Sequence, residues 1–423
     1  MSLEWSPPAE NNMFVSHDES IEVAPETYFQ SIFSGVTAFD TDDGIVLVDS
    51  GPRSAGAELA DLLRERTDSP IHTAIYTHGH WDHPHGLDAF VLDDQEPPNV
   101  IAHEAIMDRF ARYEYTEEHN EAINTRQMDQ TVPGEESSAA ELFPGAEGEV
   151  DFAYPEYLPT TLYTDQLTLS VGNVTFEITH ARGETDDHSW VYCPDRDVLC
   201  TGDFFINVAP NDGSPTKVQR YPWERSQALR EMAALDPATM CPGHGEAVVD
   251  DPEKVRRMLL TTADYLDSIV KQTITALNDE SPPHVDIIHE IDPPETDEPW
   301  LQIQHDEPEY VARNVIRYYG GWWSGRPSEL KPSPRDELAS EIEALVGGTD
   351  VLLDRAEALF EAGDARLAGH LADYALEAAP DDDAVQRRVA ELYERRADDQ
   401  ESFVSHNFFA AAAAYASRGR PFR

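Results

Sequence analysis

Lysine is almost missing from this 423-residue chain: Lys217, Lys254, Lys271 and Lys331 are the whole complement, and the remaining positive charge is arginine. Against 30 Lys+Arg stand 82 Asp+Glu, a formal charge of −52. A field this negative excludes nucleic acid and an anionic membrane as main partners. It also repels anionic substrates unless a metal or basic pocket reverses it locally. Acid-rich, lysine-poor surfaces suit molar salt, where the Debye length shrinks to ~3 Å and self-repulsion is screened, so a salt-loving source is expected. Cysteine is equally scarce. Cys193, Cys200 and Cys241 form no CxxC pair, and an odd number builds no disulfide framework, which points to reduced thiols in a cytoplasm. No run approaches the ~20 apolar residues of a membrane helix, and MSLEWSPPAENNMF lacks the basic-then-apolar order of a signal peptide. A soluble, cytoplasmic protein is therefore expected. Hydrophobic residues still make up 40% of the chain, enough for packed cores, so the acidity is not that of a disordered protein.

From about residue 28 to 103 strands and helices alternate. GVTAFDTDDGIVLVDSG reads as two strands around an Asp-Asp-Gly turn, and Leu59, Leu62 and Leu63 give Ser54–Arg66 helical spacing. A strand around Thr73–Tyr76 runs straight into THGHWDHPHG. LTLSVGNVTFEITH is a hairpin turning at Gly172-Asn173, and WVYCPDRDVLCTGD repeats that logic. The acidic, weakly periodic residues 116–160 look like an inserted surface segment. Asp251-Pro252 starts a long helix, as an N-cap followed by proline at N1. Beyond a linker near Asn278–Pro283 the pattern becomes almost wholly helical, over Glu337–Val346, Val351–Ala362, Ala365–Ala379, Asp383–Arg396 and Phe403–Arg418. This divides the chain into residues 1–280, which are α/β, and an all-α part, 281–423.

The strongest chemical signal is Thr77-His78-Gly79-His80-Trp81-Asp82-His83. Alternating His78 and His80 can face one metal while Asp82 and His83 turn toward another, and mixed imidazole and carboxylate donors suit a catalytic zinc site.

HxHxDH after a strand resembles the signature of the metallo-β-lactamase superfamily. That resemblance implies an αββα sandwich with two divalent metal ions, zinc by preference, at one edge of the paired sheets. Asp49-Ser50-Gly51 is similar to the turn that braces the metal loop. Thr201-Gly202-Asp203 is similar to the segment supplying a bridging carboxylate, and Pro242-Gly243-His244-Gly245 to the one carrying the last histidine. Where most members place a third histidine, Ala181-Arg182-Gly183-Glu184 has a glutamate, as in the alkyl sulfatase branch; His180 and His188 compete with it as ligands. That branch usually has glutamate where Asp203 stands. The resemblance thus implies one ion on His78, His80 and Glu184 and another on Asp82, His83 and His244, with Asp203 bridging. Asp82 and Asp203 are the expected catalytic carboxylates, around a shared water whose pKa falls towards ~7.

The helical part resembles the same branch. Arg317-Tyr318-Tyr319-Gly320-Gly321-Trp322-Trp323-Ser324-Gly325-Arg326-Pro327 resembles its YLGWFDGNP-like segment, the stretch GDARLAGHLADYALEAAPDDDAVQRRVAELYERRA its dimerisation helices and Ser405-His406-Asn407-Phe408-Phe409 its closing motif, implying a homodimer. The expected function is hydrolysis of an alkyl sulfate or a related small anionic ester. Asn211, Lys217 and Arg220 are the expected substrate-binding residues. Ser214-Pro215 stands where that branch has an Arg-Gly pair that grips sulfate, which favours the alternative of a thioester, lactone or phosphodiester substrate.

Overall fold

In the computed structural model, residues 13–128, 154–279 and 284–422 are described. By compactness the chain forms two units. Among the described residues the larger comprises 13–120, 154–279 and 284–322, and the smaller 121–128 and 323–422.

The larger unit is built on two sheets. The first has seven strands in sequential order: β1 (Ile21–Ala24), β2 (Thr27–Ile32), β3 (Ser34–Thr41), β4 (Gly44–Val48), β5 (Ile71–Ile75), β6 (Asn99–His103) and β7 (Thr161–Tyr163). The second has five: β8 (Gln166–Val171), β9 (Val174–His180), β10 (Ser189–Cys193), β11 (Val198–Ile206) and β12 (Thr239–His244), ordered β12-β11-β10-β9-β8. The sheets face each other across one apolar core, with Phe29, Phe39, Val46 and Ile75 from the first and Phe176, Ile178, Val191 and Cys200 from the second. All three thiols are buried in this layer as small apolar side chains.

Helices close both outer faces. Leu59 and Leu63 of α1 (Gly56–Arg64), Leu87 and Phe90 of α2 (Leu87–Phe90), and Ile106 and Phe110 of α3 (Ala105–Tyr115) cover the first sheet. Helix α4 (Glu117–Met128) follows, occupying the start of the stretch expected to be an inserted surface segment; residues 129–153 lie outside the described residues. The second sheet is covered by α5 (Pro222–Ala234) and α6 (Pro252–Asn278), whose N-cap Asp251 accepts the Lys254 N–H as expected. After α7 (His284–Ile287), α8 (Pro308–Gly320) joins them, burying Val311, Ala312 and Ile316 in the same cluster as Leu259 and Leu266. Burial on both faces explains the near-continuous apolar runs in the central strands. The architecture is the expected αββα sandwich. By compactness α8 belongs with the larger unit, because it packs on α6.

In the smaller unit α9 (Arg335–Val346), α10 (Thr349–Glu361), α11 (Ala365–Ala378), α12 (Asp383–Asp398) and α13 (Phe403–Ala416) form antiparallel hairpins. Leu353, Ala356, Ala372, Leu376, Val389 and Ala413 make their common core. Gly363 turns at φ 89°, a left-handed angle that favours glycine, and Pro380 follows the end of α11.

Candidate metal centre

The metal loop springs from β5 at the edge where both sheets end. Its path is set by Asp49, which stands just after β4 with φ 57°. Asp49 accepts the Thr77 backbone N–H at 2.8 Å and the Thr77 hydroxyl at 2.7 Å. The same carboxylate meets His83 Nδ1 at 2.9 Å, leaving His83 Nε2 to point inward. The brace expected of the Asp49-Ser50-Gly51 turn is present in these contacts.

Two groups of ligand-type side chains result: His78, His80, Glu184 and Asp203, then Asp82, His83 and His244. Within each, one donor atom per residue lies within 4.8 Å of the others. His78 Nε2 and His80 Nδ1 approach Glu184 Oε2 at 3.4 and 3.2 Å. His244 Nε2 lies 3.3 Å from Asp82 Oδ2. Asp203 stands between the groups, with Oδ1 3.4 Å from His83 Nε2, and Oδ2 3.4 Å from His244 Nε2 and 4.0 Å from His78 Nε2. All seven predicted ligand residues are therefore brought together, although Glu184 is 106 residues from His78 in sequence (184 − 78).

Neither competing histidine occupies Glu184's place. His180 turns its Nδ1 to the His188 carbonyl at 2.8 Å and stacks on His103, ring centroids 3.5 Å apart. His188 Nε2 accepts the Asp203 backbone N–H at 3.0 Å and thereby holds the carboxylate in place.

Burial and crossed charges set the protonation of the centre. Burial pushes His80 down to about 4, outweighing the pull of Glu184. Asp82 is held down at about 2: burial acts against it, but His83 and His244 prevail. His244 rises to about 10 because Asp203 and Asp82 overcome its burial. Glu184, though buried, is kept ionised by Arg220 and His80. Glu184 Oε2, Asp203 Oδ1 and His83 Nε2 are buried yet have no hydrogen-bond partner among the described residues. Buried polar atoms left without a hydrogen bond are costly, so three such atoms turned into one space fit divalent cations.

The predicted substrate-binding residues divide. Arg220 and the Asn211 amide both lie 2.8 Å from Glu184 Oε1, so they grip the carboxylate's outer oxygen. Arg225 in turn meets Asn211 Oδ1 at 3.0 Å. Lys217 is half-buried near these groups; burial and the neighbouring Arg220 push its ammonium down to about 8, against the pull of Glu184, Asp82 and Asp306. The loop 211–220 is pinned from beyond residue 281: Asp306 accepts the Gly213 N–H at 3.0 Å and the Ser214 hydroxyl at 2.8 Å, and Asn314 donates to the Arg220 carbonyl at 2.8 Å.

Sequence reasoning did not identify the Arg109–Asp187 pair. Arg109, buried on α3, donates its Nε to Asp187 Oδ1 at 2.7 Å, and Asp187 Oδ2 accepts the Gly79 N–H at 2.8 Å. Gly79 separates His78 from His80, so the pair anchors the metal loop. Two adjacent acids in an acid-rich chain carried no signal of this role.

Residues 33–244 match the metallo-beta-lactamase superfamily, and the chain belongs to it. Residues 284–419 match the alkyl sulfatase dimerisation family. Among curated proteins, the chain is 27% identical over 374 residues to a linear primary-alkylsulfatase of Pseudomonas sp. (strain ATCC 19151), covering 84% of this chain and 69% of that one. It is 23% identical over 424 residues to an (R)-specific secondary-alkylsulfatase of Pseudomonas sp., covering 92% and 60%. A solved stereoselective inverting sec-alkylsulfatase from Pseudomonas sp. superposes with a TM-score of 0.82 at 20% identity, over 95% of this chain and 66% of that one. The chain thus spans roughly two thirds of its relatives' lengths.

Proposed function

We propose that this chain is a dinuclear metal-dependent hydrolase of alkyl sulfates or closely related small anionic esters. The observation that carries the reading is the seven-residue donor set with Asp203 between its two halves. One ion would rest on His78, His80 and Glu184, the other on Asp82, His83 and His244, with Asp203 and Asp82 the carboxylates nearest the reacting atoms; zinc suits the mixed nitrogen and oxygen donors. Bound divalent ions supply Lewis-acid polarisation of the ester and lower the pKa of water.

The protein's own part is orientation and charge. Arg220 and Asn211 hold Glu184 by one oxygen and leave the other for the centre. Lys217 supplies positive charge beside it, attracting an anionic ester into a chain whose net field repels one. The alkyl sulfatase relatives support an alkyl sulfate as the substrate. The alternative, a thioester, lactone or phosphodiester, is favoured by Ser214, whose hydroxyl is turned to Asp306 where the branch has its Arg-Gly pair. Assembly as a homodimer is supported by the dimerisation-family match and by Leu345, Val351 and Leu367, exposed on the smaller unit. No described helix is long and apolar enough to cross a membrane; a cytoplasmic, salt-adapted setting is part of the same reading.

Metal analysis and turnover on medium-chain alkyl sulfates, thioesters, lactones and phosphodiesters in molar salt test the proposal. Two ions per chain, fewer in His80→Ala, and metal-dependent sulfate release are expected. Turnover confined to another ester class would reject alkyl sulfate as substrate.

A further inference from the structure

Phe33 makes the corner between β2 and β3 alone, because its neighbours Ile32 and Ser34 are already cross-strand partners. Its φ is 70°, a left-handed conformation that is a strained outlier for a bulky side chain. Strain of that kind persists only where the surroundings over-determine it.

What surrounds Phe33 is one half of the metal centre. Its carbonyl accepts His244 Nδ1–H at 2.7 Å, which fixes the tautomer and turns Nε2 toward Asp82 and Asp203. The next residue, Ser34, donates its hydroxyl to the Asp82 carbonyl. The residue after that, Gly35, lies so close to the Pro242 carbonyl that a Cβ would collide with it. The Phe33 ring packs on Trp81 at 5.4 Å and on Phe14 at 5.1 Å, and stands edge-on to His244 at 5.6 Å. Trp81 lies between ligand residues His80 and Asp82 in sequence. Phe33 and Ser34 thus touch His244, Trp81 and Asp82, and Gly35 packs on the carbonyl of Pro242, two residues before His244.

We propose that the Phe33-Ser34 corner is a positioning element for the Asp82/His83/His244 half-site, separate from the Arg220–Asn211 brace on the other half. Stacking on Phe14 and Trp81 holds the strained corner, and the corner holds His244 and Asp82 at the spacing a cation needs. The inference rests on the two-metal reading.

Stepwise zinc affinities, measured by chelator competition on the full chain and checked by cobalt(II) absorption, test it. Phe33→Ala should weaken the second ion about 10–100-fold, the range for removal of outer-shell support, while the first keeps its affinity. Phe33→Tyr, which keeps the ring, should restore it. Ser34→Ala should weaken the second ion in the same selective way, and it decides alone if Phe33→Ala does not fold. Unchanged second-site affinity in these variants, or equal loss at both sites, would overturn the corner's role with the two-metal reading intact. A wild-type chain that takes up fewer than two ions overturns the two-metal reading, and this role with it.

Discussion

Arg220 lies 2.8 Å from Glu184 Oε1, while Oε2 of the same carboxylate faces His78 and His80 at 3.4 and 3.2 Å. One buried cation thus assigns different tasks to the two oxygens: the outer is neutralised and the inner is left for a metal. Removing the guanidinium strands a buried carboxylate. Arg220→Ala should destabilise the metal-free protein by about 3–5 kcal/mol in denaturant unfolding, and Glu184→Gln in the same background should recover part of the loss.

Lys217 should give hydrolysis of an anionic ester an alkaline limb. Its ammonium loses the proton near pH 8, so positive charge beside the site falls as pH rises through that value. On an anionic ester kcat/KM should decline above about pH 8, chiefly through KM. Lys217→Arg should shift the decline to higher pH, because guanidinium stays charged. A decline at the same pH in that variant would assign it to another group.

Asp187 links a buried charge pair to the metal loop. Burial alone would raise its pKa, but Arg109 holds the carboxyl well below the usual range. A depressed folded-state pKa stabilises above the unfolded value near 4, and that stabilisation disappears as pH falls toward the folded value. Asp187→Asn removes a titrating group of this kind, so its stability should fall less steeply than the wild type's below about pH 4. Asp187→Ala should cost at most about 3–5 kcal/mol near neutrality, since Arg109 then loses its fully buried partner and keeps only the partly exposed Asp186. Unfolding midpoints of both variants across pH provide the check.

The charge of −52 predicts a salt requirement. Between 0.1 and 1 M salt the Debye length drops from ~10 to ~3 Å, which screens repulsion among surface acids. Thermal unfolding should shift upward over that range, and dilute buffer should lower both Tm and activity. Equal stability in both would detach the composition from any salt adaptation.

Several features follow from local sequence because their cause is local. His78, His80, Asp82 and His83 are contiguous after a strand, so one short loop places four donors together. The helices of the smaller unit are legible from apolar spacing and from their stops, Gly363 and Pro380, since periodicity and backbone restriction act over a few residues. Family resemblance extends this to Glu184, Asp203 and His244, whose roles no local pattern states.

Tertiary structure decided which neighbours each polar atom meets. Asn211 and Arg220 read from sequence as hands for the substrate; folding turns them onto Glu184. Asp187, an unremarked acid among 82 Asp+Glu, becomes the anchor of Gly79. Phe33, an apolar residue in an apolar stretch, turns its carbonyl to a histidine 211 residues away. Sequence by itself determined which donors exist and which segments are regular, because propensity and spacing are properties of adjacent residues. The packing of two sheets face to face decided which Glu184 oxygen faces the histidines and which meets Arg220, because burial and distance between remote residues exist only in the folded chain.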